Sequence, residues 1–189
     1  MEPDHKLVAR VRGGEREAFV QLLERYQARI FHTTLRMLKN REDAEEAAQD
    51  TFLRAYRGLP NFREDAAFST WIYKICYHVC LSYLERKKPK RFTAADENFS
   101  ELPDPDTLER SYEGREFEEL VAGALAELPE IYRSVLVLYH TQHLSYQEIA
   151  KITGQPINSV KTHLFRGRAL LRRRILQIQL TEEWVEMMG

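Results

Sequence analysis

Apolar residues recur along this chain at helical spacing, and no stretch shows convincing strand alternation of period two. Phe19, Leu22, Leu23, Tyr26 and Ile30 repeat at +3 and +4, and Leu35 and Leu38 extend the same face. A short amphipathic helix is expected ahead of Gly13-Gly14. Asn40 is placed to N-cap the next helix, with Asp43 in its first turn. On that helix Ala44, Ala47, Ala48, Thr51, Phe52, Ala55 and Tyr56 form one stripe, which Gly58-Leu59-Pro60 ends. Ser69 or Thr70 is the expected cap of a third helix running to about Lys87, before Pro89. Its predicted buried face is Ile72, Ile75, Cys76, Val79 and Tyr83.

The pattern breaks at about Phe92–Arg115. There Leu102-Pro103-Asp104-Pro105-Asp106 sits in an acidic stretch with few large aliphatics. Two prolines this close stop a helix and like charges extend a chain, so a linker between two domains is expected, with a long surface loop as the alternative. Helical spacing then resumes. Phe117, Leu120, Val121, Ala124 and Leu128 share a face, and Pro129 is expected as the first residue of a helix over Glu130–Tyr139. Ser145-Tyr146-Gln147-Glu148 has the capping-box pattern and opens a short helix, Tyr146–Ile152, that ends at Thr153-Gly154. A long helix is predicted from Ser159 to about Ile175. The expected fold is therefore all-α: two small helical domains joined by an acidic linker.

The composition of this 189-residue chain, 43% apolar and 30% charged, excludes general disorder, and no apolar run reaches the length of a membrane span. No signal peptide is visible at Met1–Lys6, and Cys76 and Cys80 are too few for a disulfide framework, which fits a reducing cytoplasm. The net charge of −1 hides a strong asymmetry. Residues 62–95 carry 7 basic and 3 acidic groups, residues 96–119 carry 10 acidic and 2 basic, and residues 145–176 carry 7 basic and 1 acidic. Cationic blocks offer a footprint to phosphate, and the anionic block between them is repelled by it.

Residues 145–173 read as a helix-turn-helix, with Gly154 in the turn. Val160, Leu164 and Leu171 are expected inside, leaving Lys161, Thr162, Phe165, Arg166 and Arg168 mostly outside. An apolar face fixed to the first helix and donors near the N-terminus of the second suit base edges in a major groove. Arg172, Arg173 and Arg174 suit phosphate contacts or a solvated helix end. The same residues also fit an ordinary helical hairpin with a basic surface. In the other cationic block Phe62, Phe68, Trp71, Tyr73, Tyr77, Tyr83 and Phe92 alternate with Arg63, Lys74 and the 86–91 basic run. Rings beside cations suit unpaired bases, and rings at helical spacing equally suit a core.

Five segments together resemble the extracytoplasmic-function group of bacterial sigma factors. They are DAEEAAQDTFLRAY (43–56), FSTWIYKI (68–75), Leu128-Pro129, LSYQEIA (144–150) and SVKTHLFRGR (159–168), and the resemblance covers about residues 5–176. It implies an N-terminal domain, residues 1–92, that binds the polymerase clamp and holds single-stranded −10 DNA, then a linker, 93–115. It further implies a helix-turn-helix domain, 116–176, that reads the duplex −35 element, followed by a tail, 177–189. Carried over by position, the clamp set is Gln49, Asp50, Leu53 and Arg54. The −10 set is Phe62, Arg63, Phe68, Ser69, Trp71, Lys74 and His78, and the −35 set is Ser159, Lys161, Thr162, Phe165, Arg166 and Arg168. Core RNA polymerase and promoter DNA are the implied partners, together with an anti-sigma factor; no cofactor and no metal are called for. The acidic linker is expected to lie in a basic channel of the polymerase.

Some positions depart from the family pattern. His78 stands where Asn is common, Ser82 where Asp or Asn is frequent, and Gln142-His143 where an acidic residue and Gly often precede Leu-Ser-Tyr. Two other classes compete. A stand-alone DNA-binding regulator explains the helix-turn-helix but leaves the N-terminal stripe and the 62–92 aromatics unused. A metal or redox protein would use Cys76, His78 and Cys80, but His78 points roughly opposite the two cysteines. An enzyme is not indicated: the chain has no glycine-rich phosphate loop, nucleophile elbow or HExxH motif.

Overall fold

The computed structural model describes residues 2–87 and 114–188, with side chains described at 2–87 and 117–179. The helices are α1 (Asp4–Arg12), α2 (Arg16–Leu38), α3 (Arg41–Gly58), α4 (Phe68–Lys87), α5 (Gly114–Glu127), α6 (Glu130–Leu136), α7 (Tyr146–Thr153) and α8 (Ile157–Met188). A 3-10 turn at Leu59–Asn61 follows α3, and a π-helical turn at Val137–Thr141 follows α6. No strand occurs among the described residues, so the fold is all-α. The acidic linker expected at 93–115 lies outside the described residues, apart from the first two residues of α5.

Local chemistry sets the helix ends. The Asn40 side chain accepts a hydrogen bond from the Asp43 N–H at 2.9 Å, the predicted cap of α3. Lys39 closes α2 in the left-handed conformation, φ 64°, and its N–H donates to the Leu35 carbonyl at 2.9 Å. Ser145 and Glu148 form the capping box of α7 reciprocally, at 3.3 and 2.9 Å. Four expectations shift. Helix α4 begins at Phe68, because the Trp71 N–H is already taken by the Ala67 carbonyl at 3.1 Å. Pro129 is the cap of α6 and not its first residue. The helix expected over Glu130–Tyr139 gives way to the π turn after Leu136. Helix α8 starts two residues early and runs on unbroken to Met188, past the predicted stop near Ile175.

In the N-terminal half α1, α3 and α4 pack on α2, and α4 also packs on α3. Leu7, Val8, Leu22, Ile30, Met37, Ala44, Ala47, Ala55 and Ile72 are almost fully removed from water. The Thr34 hydroxyl donates to the Ala44 carbonyl at 2.9 Å, pinning α2 to the first turn of α3. Met37, not Leu35, carries the α2 face forward. In the C-terminal half α5, α6 and α7 pack on α8. Buried Arg133 donates to the Ala126 and Leu128 carbonyls at 3.2 and 3.1 Å, satisfying the end of α5. The α8 seam runs through Val160, Leu164, Gly167 and Leu170, so Leu170 rather than Leu171 is the deeper residue. Gly167 is needed for close approach: a Cβ there would lie 3.1 Å from Leu136 Cδ1 and 3.3 Å from Tyr132 Cβ.

The halves also share a core. Helix α4 packs against α7, and α2 packs against α5, α6 and the π turn. This contact buries Tyr73 and Tyr77, which lie outside the predicted α4 face.

Two outcomes are expected. Gly167→Leu forces its side chain into Leu136 and Tyr132 and should lower stability by about 1–3 kcal/mol, read by urea unfolding. Glu148 is held below the usual carboxylate range, first by the Ser145 hydroxyl and then by the Ser145 N–H. A carboxyl lowered in the folded state adds stability above its unfolded pKa and loses it as pH falls through the folded one. Ser145→Ala should therefore cost about 1 kcal/mol near neutral pH and less in acid, once the pH has fallen through the lowered folded pKa of Glu148. An equal deficit at both pH values would contradict this.

Candidate nucleic-acid interface

The first exposed surface is the outer face of α8. The capped α7 and the turn at Gly154, φ 72°, fix where α8 begins. Val160 and Leu164 face inward, 0% and 1% exposed, and Lys161, Thr162, Phe165 and Arg166 face solvent. Phe165 is 62% exposed, a large apolar ring that packing within the chain does not account for. The Thr162 hydroxyl donates to the Asn158 carbonyl at 2.9 Å, which turns it toward the helix backbone. His163 Nδ1 lies 3.0 Å from Gln155 Oε1, tying α8 to the turn, and burial lowers its pKa. Ser159 is half-buried beside this set. Arg168 is placed differently from its predicted companions. Its Nε donates to His140 Nε2 at 3.3 Å and its guanidinium lies 5.0 Å from the Tyr139 ring centre. It belongs to the flank of the helix, held by the π turn.

The second surface is a cleft of about 800 Å³ between the halves. Phe62, Arg63, Trp71 and Lys74 form one wall, and Lys151, Gly154, Gln155 and Pro156 form the other. The rings of Phe62, Phe68 and Trp71 pack on one another, with centroids 4.8 Å apart for Phe62–Trp71 and 5.7 Å for Phe68–Trp71. Phe68 is buried and also meets Tyr26 edge-on at 5.5 Å. Phe62 and Phe68 are thus the foundation of the cleft wall, while Trp71, half-buried, reaches its surface. Trp71, Lys74 and His78 follow at +3 and +4 along α4, with Lys74 and His78 exposed. Burial, then the Lys74 charge, lowers the His78 pKa. Ser69 is half-buried at the start of the helix. The preceding loop is fixed by Arg12, which pairs with Glu64 at 2.7 Å and donates to the Leu59 carbonyl at 3.4 Å. Glu64 itself is left-handed, φ 60°, a conformation that non-glycine residues seldom take.

The third surface is an apolar groove of about 930 Å³ between α2 and α3. Val20, Leu23, Phe31, Phe52, Leu53 and Tyr56 are among its lining residues, with Val20 51%, Leu53 55% and Tyr56 41% exposed. Gln49 and Leu53 line it; Asp50 and Arg54 pair with each other at 2.8 Å beside it. The α3 stripe divides: Ala44, Ala47, Thr51, Phe52 and Ala55 are buried, whereas Ala48 is half-buried and Tyr56 exposed along the groove. Val20 is the signal that spacing alone passes over, since with Leu23 it widens the apolar face of α2 beyond one core stripe.

Cys76 and Cys80 are buried, free thiols one helical turn apart, while His78 faces solvent. Hydrogen bonding to Cys76 and burial push the Cys80 thiol well above its ordinary pKa, so both act as core side chains. No helix among the described residues is long and apolar enough to cross a membrane.

Residues 22–90 match the family described as Sigma-70 region 2, and residues 118–171 match Sigma-70, region 4. The chain is 35% identical over 175 residues to the RNA polymerase sigma-H factor of Pseudomonas aeruginosa, covering 88% of this chain and 91% of that one. It is 31% identical over 178 residues to the ECF RNA polymerase sigma factor SigW of Bacillus subtilis, covering 90% and 95%. It is 33% identical over 183 residues to the ECF RNA polymerase sigma-E factor of Escherichia coli, covering 91% and 94%. Among solved structures its fold is similar to CnrH in complex with the cytosolic domain of CnrY, with TM-score 0.68, 24% identity and coverage of 91% and 96%. It is also similar to the sigma factor RpoE of Bartonella quintana in complex with the anti-sigma factor NepR, with TM-score 0.64, 20% identity and coverage of 85% and 97%.

Proposed function

This chain belongs to the extracytoplasmic-function group of RNA polymerase sigma factors, and we propose a residue-level account of how it meets polymerase and promoter. The group's work is promoter recognition as a subunit of RNA polymerase. It acts by binding, without bond chemistry of its own, and its place of action is the cytoplasm, where the polymerase is.

The −35 element is read by the exposed start of α8. Lys161 and Arg166 offer donors to base edges or phosphates, the Thr162 methyl and Phe165 ring suit thymine methyls, and Ser159 lies at the rim. Arg168 supports the helix flank and reaches phosphate with whatever guanidinium N–H groups His140 leaves. The observation that carries this assignment is the contrast along two turns of α8: Val160 and Leu164 sealed, Phe165 62% exposed among cations.

The −10 strand is held along Arg63, Trp71, Lys74 and His78, on a wall built by Phe62 and Phe68 with Ser69 at its edge. Stacking on an aromatic returns about 1–3 kcal/mol per base, while the cations follow the backbone. The groove between α2 and α3 takes an apolar helical surface of the polymerase clamp, with Gln49 and Leu53 in contact and the Asp50–Arg54 pair at the rim. Residues 1–92 and 116–176 are the two functional units, and 93–115 is the spacer between them. An anti-sigma factor is a further partner, supported by the fold shared with RpoE, which is solved in complex with one.

Run-off transcription with core polymerase and a promoter library tests the whole account; no start site at any promoter overturns it. Two substitutions test its parts. Arg166→Ala should weaken −35 duplex binding by about 1–3 kcal/mol and relax sequence choice if it meets a base. If it meets phosphate only, affinity falls evenly across sequences and the salt slope drops by about one unit. Leu53→Asp puts a charge into the apolar groove, and core-polymerase affinity should fall at least tenfold with −35 duplex binding unchanged. Retained polymerase affinity would remove the groove from that interface.

A further inference from the structure

The two halves meet through polar contacts set beside buried apolar and aromatic side chains. The Tyr73 hydroxyl of α4 donates to Gln142 Oε1. Gln142 Nε2 in turn donates to Thr33 Oγ1 of α2 at 3.0 Å and reaches the Arg29 carbonyl at 3.5 Å. Thr33 gives its own proton to the Arg29 carbonyl at 2.8 Å, so its oxygen is left to accept from Gln142. One side chain from the C-terminal half therefore joins two helices of the N-terminal half, with donor and acceptor matched at each end. A second bridge runs from the Thr70 hydroxyl to Glu148 Oε1 at 3.3 Å.

The backbone around Gln142 is bent to deliver it. The π turn Val137–Thr141 precedes it, and His143 follows with φ 52°, in the left-handed region.

Closure has a consequence for reading DNA. Elements named −35 and −10 lie about 25 base pairs apart, or roughly 85 Å of duplex at 3.4 Å per base pair. Here the turn that starts α8 and the Trp71–Lys74 wall line the same cleft of about 800 Å³. The closed chain cannot occupy both elements together, and its helix-turn-helix faces the −10 wall across that cleft.

We propose that Gln142 is a latch, an autoinhibitory contact that holds the two halves closed until polymerase separates them. The latch rests on the sigma-factor reading above. Polymerase binding must then work against the closed population, so apparent affinity falls by the fraction of molecules that are open.

The test compares the full chain with Gln142→Ala, with Thr33→Val and with the Tyr73→Phe/Gln142→Ala double variant. Circular dichroism checks that each is folded, and the near-isosteric Thr33→Val breaks the latch from the other side should the double variant fold poorly. Small-angle scattering should show a larger radius of gyration in the folded variants. Core polymerase should bind them about three- to tenfold tighter, the range that one or two hydrogen bonds supply. A −35 duplex alone should bind equally to all, because the outer face of α8 is open in the closed chain. Wild-type dimensions in the folded variants overturn the latch, and so does expansion without tighter polymerase binding. A wild-type chain that binds no polymerase rejects the sigma-factor reading instead, and the scattering result still decides whether Gln142 holds the halves together.

Discussion

Helix α4 has to be buried on two sides at once. Ile72, Cys76 and Val79 close the N-terminal bundle, and Tyr73 and Tyr77 are covered because the other half packs against them. A soluble helix normally keeps a polar face toward water. Here most of the ring is apolar or aromatic, and the exposed remainder is confined to Lys74, His78 and the basic end near Arg86. The rest of the architecture answers to that requirement. The C-terminal half must dock, and it docks with α7 against α4 and the π turn against α2.

Docking decides which surfaces remain free. The first turns of α8 point away from the contact, so Lys161, Thr162, Phe165 and Arg166 are exposed in the closed chain. The groove between α2 and α3 lies on a different face of the bundle from the α4–α7 contact and is open as well. The cleft at Trp71 is the exception, since its second wall belongs to the other half. Of the three surfaces, the cleft proposed for unpaired bases is the one that both halves line. On the proposed assignment, duplex DNA meets one half only, whereas the cleft for melted DNA involves both.

Short-range chemistry was readable in the chain. Asn40 with Asp43 and Ser145 with Glu148 are cap patterns whose partners sit within three residues, and both formed as expected. Core faces at +3 and +4 were readable for the same reason: Phe19, Leu22, Tyr26 and Ile30 are all buried. What escaped was long-range. Burial of Tyr73 and Tyr77 depends on residues more than fifty positions away, and no periodicity within α4 reports that. The π turn after Leu136 follows the point where α6 meets α8 at Gly167, a contact between distant positions, and spacing alone predicts a helix through Tyr139. Among the candidate site residues, Lys161, Thr162, Phe165 and Arg166 share one exposed face because helical geometry is local. Arg168 is turned aside by Tyr139 and His140, which reach it from another element.

The aromatic cluster beneath the cleft bears on how base capture could work at all. Phe62, Phe68 and Trp71 are packed together, and Phe68 is locked further by Tyr26. Phe62 and Phe68 are buried, so neither ring is placed to insert between stacked bases as a wedge. The wall is packed from behind, and Arg12 ties the loop before it to Glu64 and Leu59. Extruding a base costs a few kcal/mol, and one aromatic face returns about 1–3 kcal/mol. Stacking on Trp71 alone therefore does not drive melting. On the proposed assignment the balance falls to phosphate contacts along Arg63 and Lys74 and to the polymerase itself. A wall packed in advance suits that division of labour: Phe62 and Phe68 need no ordering when the base arrives, so less of the stacking free energy is spent on conformational entropy.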